Sequence, residues 1–439
     1  WRSVHPPAHA VRTRTPDRRD VYTTVRDRPQ ALDASDAPRR TRWRGRAVDP
    51  NVKALGFTSL FTDVSSEMVN AILPLYLMTQ FGFTPLAFGV FDGAYQGIAG
   101  LLRIAGGVLA DRLRRFREVA GFGYALSAFC KLGLLASSTA TAASGFLLAD
   151  RTGKGIRTAP RDALITHSSP PGRLAESFGV HRALDTAGAL AGPLLAFALL
   201  DITADDYDAV FVVSFCFALI GLGVLACFVR NPSRAAALGT GPRPSFRAAV
   251  GLLGRPRFRR VVAAGGLLGL VTMSDAFVYL VFARTSGMRS ALFPLLFVGT
   301  AAAYLILAVP LGRLADRVGT APVFLGGYLL LGGAYLALLG SGPGLAGVAA
   351  VLALLGAYYA ATDGVLMAMA SDALPPGLRA SGLALITTVT ASTRLAASVL
   401  FGLAWTWRGP QGAVWMFAAG LAVAVPSSAV FLRRGRAFA

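Results

Sequence analysis

The sequence is poor in charge for its length. Only 15% of its 439 residues are Asp, Glu, Lys or Arg, whereas a soluble protein of ordinary composition carries about a quarter. Hydrophobic residues make up 54% and fall in runs of about twenty, the length that an α-helix needs to cross a ~30 Å hydrocarbon layer. The runs do not alternate as the strands of a membrane barrel would. We therefore predict an all-α membrane protein.

Cysteine and histidine are also scarce, with three and four residues. Cys130, Cys216 and Cys227 lie inside apolar runs, without the paired spacing of a disulfide or a zinc site. The sequence has no HExxH, no nucleophile elbow and no phosphate-binding loop. We expect no metal, no cofactor and no enzymatic activity.

Positive charge is abundant, with a net charge of +20. About a dozen arginines lie in the first fifty residues, and most others lie between apolar runs. No basic face with interleaved aromatics is present, which argues against a nucleic-acid partner. Residues 1–50 lack apolar periodicity, and we predict a disordered basic tail, either a cytoplasmic arm or sequence upstream of the true start.

The apolar runs predict twelve transmembrane helices, near residues 54–79, 86–110, 118–137, 142–163, 177–200, 208–229, 261–283, 290–312, 320–340, 343–370, 380–404 and 411–432. Alternate connections are rich in arginine, from Arg112–Arg117 to Arg433–Arg436, and the others are poor in it. Because positive loops stay on the cytoplasmic side, we predict a multi-pass inner-membrane protein with both termini in the cytoplasm.

Two sequence segments recur at equivalent places. GGVLADRLRRFR, from Gly106, resembles PLGRLADRVGT, from Pro310; PPGRLAESFG, from Pro170, resembles PPGLRASGLA, from Pro375. Each pair follows the same helix of its half, as in transporters built from repeated units. The predicted organisation is a six-helix bundle at 51–230, a cytoplasmic linker at 231–258 and a second bundle at 259–439.

The first pair of segments, GVLADR from Gly107 and GRLADRVG from Gly312, resembles the signature of the loop between helices 2 and 3 in the major facilitator superfamily. Leu113 stands where that signature usually has glycine. Arg151-x-Gly153-x-Gly155 resembles the helix 4 signature, and DRTGKGIRTAPRDALI and FTDVSSEM resemble a poorly characterised prokaryotic branch. The resemblance implies twelve helices in two pseudo-symmetric six-helix bundles. Within helix 5 the motif often associated with antiporters is matched by Gly188, Gly192 and Pro193.

The loop signature predicts a conformational latch. A glycine permits close helix approach, an aspartate at a helix end accepts hydrogen bonds, and an arginine pairs across the interface between bundles. Such contacts form in one conformation and break in the other. The alternative is ordinary charge that sets topology. The latch candidates are Gly107, Asp111, Arg112, Gly312, Asp316 and Arg317.

Charges inside the apolar runs are the candidate site residues, because an ionisable group at bilayer depth normally faces a cavity or a partner. Asp63 and Glu67 share one face of helix 1 at i,i+4 spacing. Two such carboxylates do not both ionise readily in a low dielectric, which suits reversible proton uptake. The alternative is pairing with a basic residue of helix 4.

Helix 4 has the highest density of charge. Its charged residues recur at helical spacing and must line the cavity or pair with carboxylates such as Asp63, Glu67 or Asp185. Contact with an anionic substrate group is the other interpretation. These residues are Asp150, Arg151, Lys154, Arg157, Arg161 and Asp162.

Helix 5 offers His181, Arg182 and Asp185, spaced for a local network, and Lys131 on helix 3 is expected to extend outward to the headgroups. Asp92 on helix 2 is a weaker candidate. The second half is sparser, with candidates Asp275 mid-way along helix 7, Asp363 on helix 10 and Arg394 on helix 11. This asymmetry places the coupling chemistry in the first half, as a hypothesis.

These observations favour a secondary transporter that moves a small solute by alternating access as a monomer in the lipid bilayer, with proton-coupled efflux as the leading interpretation. Uptake of an anionic metabolite is the nearest alternative, motivated by the helix 4 cations. A non-transporting receptor or scaffold is the alternative of a different class.

Overall fold

The computed structural model describes residues 48–113, 115–170, 173–231, 251–340, 344–374 and 379–433, and the longer elements within these ranges are α-helices. Most of the predicted tail (1–50) and linker (231–258) lies outside the described residues. The all-helical prediction is confirmed.

Six long helices form the N-terminal part of the described chain. Their ends carry local capping signals: Asp49 accepts a hydrogen bond from the Asn51 amide at 2.8 Å ahead of α1, and Thr139 accepts one from Ala142 ahead of α4. The six are α1 Pro50–Gln80, α2 Pro85–Leu113, α3 Phe116–Leu135, α4 Ala140–Ser168, α5 Leu174–Ile202 and α6 Tyr207–Phe228.

The C-terminal part begins with two short helices and continues with longer ones. The last helical stretch has 55 residues, far more than one crossing needs, and Gly409, with φ 73° and ψ 173°, divides it. The elements are α7 Pro256–Leu270, α8 Asp275–Ser286, α9 Phe293–Val318, α10 Thr320–Gly340, α11 Leu345–Asp372 and α12 Arg379–Arg433.

Predicted helix 7 is discontinuous, which corrects the expectation of one helix over 261–283. The chain leaves the helical conformation between Leu270 and Asp275. The Tyr335 hydroxyl of α10 stabilises this break, because it accepts a hydrogen bond from the Met273 amide at 2.7 Å and donates to the Val271 carbonyl at 3.2 Å. Asp275 therefore lies at the start of a half-helix, not in mid-helix.

Glycines allow α5 to pack closely on α1. A Cβ at Gly188 would collide with the Leu60 carbonyl oxygen, and one at Gly192 would lie 2.8 Å from the Val64 oxygen. Close backbone approach of this kind is a common means of joining membrane helices. Two residues of the antiporter-like motif thus have a packing role, and Pro193 lies within the continuous α5.

Within the described ranges, eight helical stretches are long and apolar enough to cross a membrane: α3, Glu176–Ile202 of α5, α6, α7 with α8, Ser290–Val318 including α9, α10, α11 and Gly382–Arg433 of α12. The more polar α1, α2 and α4 fall outside this set. The predicted twelve crossings exceed this number, and that count stays a prediction.

Candidate functional site

A charge network joins α1 to α4. The Asp63 carboxylate lies 3.7 Å from the Arg157 guanidinium and 3.9 Å from the Lys154 ammonium, and Glu67 lies 3.2 Å from the same ammonium. Asn70 donates to Glu67 at 2.9 Å. The structure thus adopts the pairing between helices 1 and 4 that the sequence left as one alternative. Two cations share two carboxylates at the middle of these helices.

Arg151 is bound through neutral groups. Its guanidinium donates to the Asn70 side-chain oxygen at 3.2 Å and to the Tyr95 hydroxyl, and it lies 4.0 Å above the Tyr95 ring. Stacking on an aromatic face stabilises a guanidinium that is removed from water. Its donors are therefore directed toward α1 and α2.

A second cluster links α4 to α5 and α1. Arg161 pairs with Asp185 at 3.5 Å and Asp162 at 3.1 Å, and it donates to the Ser59 hydroxyl at 3.1 Å. Ser59 also bonds the buried His181 at 2.9 Å. The partners of His181 and Asp185 thus come from other helices and not from the local α5 network expected, and Arg182 is exposed.

Lys131 does not extend outward as predicted. Its side chain is only 2% exposed, and its ammonium lies 2.6 Å from the Asp150 carboxylate, which is 8% exposed. A buried lysine needs a carboxylate to compensate the loss of water. The Lys131–Asp150 pair therefore joins α3 to α4 inside the N-terminal helices.

The C-terminal helices hold fewer charges. Asp275, at the start of α8, accepts a hydrogen bond from the Tyr359 hydroxyl at 2.6 Å. Asp363 of α11 pairs with Arg394 of α12 at 3.5 Å, and these two side chains are 52% and 47% exposed. Asp275 is therefore enclosed beside a tyrosine, whereas the Asp363–Arg394 pair faces open space.

A cavity of about 300 Å³ lies between the N-terminal helices (α1–α6) and the C-terminal helices (α7–α12). Glu67 of α1 and the Ala189–Pro193 turn of α5 line one side. The other side is built from α8, α9 and α11, with Asp275, Tyr279, Phe297, Val298, Thr300, Ala301, Tyr304, Tyr359 and Asp363.

The two sets of helices meet firmly at one end of the bundle, called the closed end here. Arg289 pairs with Asp201 at 2.9 Å, and Ser398 donates to the buried Asp92 at 2.7 Å. A Cβ at Gly89 would collide with the Ser398 carbonyl. Among the cavity residues, the Asp363 side chain is half exposed, at 52%.

Comparison with known proteins agrees with this architecture. The sequence pattern of the Major Facilitator Superfamily matches residues 55–293, more than half of the chain. An uncharacterized MFS-type transporter of Methanocaldococcus jannaschii is 31% identical over 373 residues, covering 82% of this chain and 89% of the relative. The chain belongs to the major facilitator superfamily. It is an integral membrane protein of this transporter family.

Other relatives are more limited in extent. An uncharacterized protein of Mycobacterium tuberculosis is 34% identical over 156 residues, 36% of this chain and 38% of that protein. Among solved structures, the nucleoside transporter NupG superposes with a TM-score of 0.71 at 12% identity, covering 87% of this chain and 98% of that one. A bacterial homolog of the human lysosomal transporter Spinster, inward-facing and occupied, gives 0.65 at 16%, covering 88% and 95%. Such low identity supports the superfamily fold alone.

The superfamily loop signature lies at the arginine-rich end. A Cβ at Gly107 would lie 3.2 Å from the Ala159 Cβ of α4, so this glycine permits close packing of α2 and α4. Arg112, Asp316 and Arg317 have exposed side chains, and Gly312 has open space around it. The Asp111 side chain lies outside the described part of the chain. The latch stays a prediction.

Some residues of this superfamily member's site were missed from the sequence. Tyr359 and Tyr279 line the cavity, and Ser398 bonds Asp92 across the closed end. Tyrosines in an apolar run are mostly core residues, so their spacing carried no signal. Their one available cue was an aromatic pair, Tyr358-Tyr359, four residues before an intramembrane aspartate.

Proposed function

We propose that this protein is a proton-coupled secondary transporter that exports a small solute by alternating access. In this proposal twelve crossings form two six-helix bundles, 51–230 and 259–439, joined by a cytoplasmic linker. The protein is a monomer of the inner membrane with both termini in the cytoplasm. The observation that carries the proposal is a cavity between the two sets of helices, lined by carboxylates from both and closed at one end.

Charge placement supports an inward-open state. The arginine-rich connections belong on the cytoplasmic side, and the Arg289–Asp201 and Ser398–Asp92 contacts between the two sets of helices lie at the opposite end. Export and uptake both require a second state in which the Arg289–Asp201 and Ser398–Asp92 contacts separate. Exposed Arg112, Asp316 and Arg317 are then free to form the loop latch on the opposite side.

The α1–α4 network supports proton coupling. Protonation of Asp63 removes the charge that holds Arg157 and Lys154, and Glu67 then remains as the partner of Lys154. A proton and the α4 cations thus compete for the Asp63 carboxylate. Protonation of Asp63 breaks contacts between α1 and α4, and deprotonation restores them. This is the type of bistable contact that couples ion binding to a conformational equilibrium.

The direction of transport is proposed from the helix 5 resemblance. The alternative of anionic-metabolite uptake needs cations with donors available to a substrate. Lys154, Arg157 and Arg161 of α4 already pair with carboxylates, and Arg151 donates to Asn70 and Tyr95. A receptor or scaffold has no need of a carboxylate-lined cavity between the two sets of helices. These contacts disfavour uptake of an anion, and the choice of export rests on the helix 5 resemblance alone.

Flux through reconstituted protein tests the proposal. Liposomes with an acidic interior and the pH dye pyranine inside are supplied with a panel of cationic, neutral and anionic solutes of metabolite size. We expect solute-dependent proton release with wild-type protein, and a loss of at least about tenfold with Asp63→Asn. Asp205→Asn, on the exposed α5–α6 connection, is the matched control.

Three results would count against the proposal. Solute flux that does not depend on the pH gradient would contradict proton coupling. Solute flux in the same direction as the protons would indicate uptake and not export. No flux for any solute, from protein that is folded and inserted, favours the receptor or scaffold.

A further inference from the structure

The charge of the cavity wall indicates a class of substrate. Its lining residues include three carboxylates, from Glu67, Asp275 and Asp363, and within the described ranges no Lys, Arg or His. Of the α4 cations, Lys154, Arg157 and Arg161 pair with carboxylates of α1 and α5. Arg151 is directed instead to Asn70 and Tyr95. The wall itself is therefore negatively charged, with Lys154 and Arg394 paired to Glu67 and Asp363 outside it, and a cation in the cavity meets complementary charge.

The three carboxylates are not equivalent. Glu67 is held by Lys154 at 3.2 Å and Asp363 by Arg394 at 3.5 Å. Asp275 accepts a hydrogen bond from the neutral Tyr359 hydroxyl, and among the described residues it takes part in no salt bridge. An enclosed carboxylate in low dielectric is stabilised by a counter-charge. Asp275 is thus the cavity carboxylate with capacity for a cation from outside the protein.

The position of Asp275 keeps it available. The break before α8 places it in the first turn of a half-helix, where the helix dipole favours an anion. Tyr335 of α10 stabilises the non-helical segment before α8 through hydrogen bonds with the Val271 carbonyl and the Met273 amide. The carboxylate is therefore presented to the cavity by a structural feature that a continuous helix would not supply.

Aromatic rings surround this carboxylate. Tyr279 lies four residues further along α8, its ring centroid is 4.6 Å from that of Phe297, and Tyr359 and Tyr304 complete the wall. Aromatic faces attract organic cations, most strongly in desolvated sites. A carboxylate with an aromatic wall is a suitable combination for an ammonium group carried on an apolar body.

We propose that the cavity binds a small organic cation, with its ammonium group at Asp275 and its apolar part against Tyr279, Phe297 and Tyr359. This assignment rests on the proposed transport function and specifies its substrate class. The cavity of about 300 Å³ limits the solute to metabolite size.

Binding to the full-length protein in lipid nanodiscs tests the assignment with probes that differ mainly in charge. The probes are the cation benzyltrimethylammonium, the neutral benzamide and the anion benzenesulfonate, and isothermal titration calorimetry measures the affinity of each. We expect the cation to bind at least about tenfold more tightly than the neutral and anionic probes. Asp275→Asn should lose at least about tenfold of that affinity, Asp275→Glu should keep most of it, and Asp205→Asn should match wild type.

The wild-type comparison stands even where Asp275→Asn fails to fold. Equal affinity for the three probes, preference for benzenesulfonate, or no binding of any probe at millimolar concentration overturns the assignment. Unchanged affinity in a folded Asp275→Asn protein does so too. Binding of the cation without any flux would contradict the proposed transport function and support the cation site. Proton-driven flux of anions alone would support transport and contradict the cation site.

Discussion

The N-terminal and C-terminal helices handle intramembrane charge differently. In α1–α6, carboxylates and cations from neighbouring helices pair inside the protein, as in Lys131–Asp150 and Asp63–Arg157. In α7–α12, charges are few and tyrosine hydroxyls bind the polar backbone and Asp275. The N-terminal helices thus hold an internally compensated network, and among the described C-terminal residues Asp275 takes part in no salt bridge.

The predicted sequence repeats place α4 and α5 in positions corresponding to α11 and α12, and the charges of the two pairs are reversed. Arg161 on α4 pairs with Asp185 on α5, whereas Asp363 on α11 pairs with Arg394 on α12. The first pair has side-chain exposures of 16% and 22%, well below those of the second. The N-terminal pair is therefore part of the packing, and the C-terminal pair belongs to the cavity mouth.

The largest stability effect is expected at the Lys131–Asp150 pair. Lys131→Met leaves the Asp150 carboxylate buried without its counter-charge, which costs about 3–5 kcal/mol of unfolding free energy. Thermal unfolding in nanodiscs measures the loss. The double variant Lys131→Met with Asp150→Leu should recover most of it, because no charge then remains buried. A single variant as stable as wild type would contradict this account of the N-terminal helices.

Sequence reasoning identified the charged residues well and their partners only in part. Helical spacing placed Asp63 and Glu67 on one face, and pairing of the α4 cations with carboxylates was one of the alternatives that the sequence left open. The structure adopts that pairing for Lys154, Arg157 and Arg161. The outward placement of Lys131 was wrong, because a lysine flanked by apolar residues looks the same whether its partner is a lipid headgroup or Asp150 on another helix. The family and the all-helical fold were predictable because they rest on local pattern.

The break before α8 could not be predicted from local pattern. The run from Val261 to Ala283 is apolar, contains no proline and reads as one helix. The hydrogen bonds that stabilise the break come from Tyr335, more than sixty residues away in sequence. Tertiary contacts of this kind produce no periodic pattern in the local sequence. The sequence therefore predicted one continuous helix with Asp275 in its middle.

That break gives the second prediction, which tests the C-terminal helices. Tyr335→Phe keeps the ring but leaves the buried Met273 amide without its acceptor, at a cost of about 1–3 kcal/mol in stability. Thermal unfolding measures the cost, with Tyr304→Phe as the control because that ring is partly exposed. We also expect weaker binding of benzyltrimethylammonium, since Asp275 loses its fixed position. Unchanged stability would show that the break persists without the hydroxyl.

The third prediction compares the inverted pairs directly. Arg161→Gln removes a mostly buried cation that bonds Ser59, Asp162 and Asp185, and we expect a loss of about 2 kcal/mol. Arg394→Gln removes a half-exposed partner of Asp363, and we expect about 1 kcal/mol or less. Unfolding of both variants under one set of conditions gives the difference. Equal losses of stability in the two variants would contradict the distinction between a packed Arg161–Asp185 pair and a half-exposed Asp363–Arg394 pair.

The smallest effect is expected where the two sets of helices meet. Arg289 and Asp201 form an exposed pair at the closed end, and such pairs contribute about 0–1 kcal/mol. Arg289→Gln should therefore leave the unfolding temperature nearly unchanged. Because the pair joins the N-terminal to the C-terminal helices, its loss should still favour separation of this end, by roughly two- to fivefold in population.

Spin labels measure that separation. With Cys216 and Cys227 replaced by alanine, labels at Asp205→Cys and Leu345→Cys sit at exposed positions near the closed end. Pulsed electron–electron distance measurements should show a larger long-distance fraction in Arg289→Gln than in its parent. High salt should reduce the difference, because screening weakens the exposed pair in the parent as well. An identical distance distribution at low salt would mean that helix packing at Gly89 and Ser398, and not charge, holds this end closed.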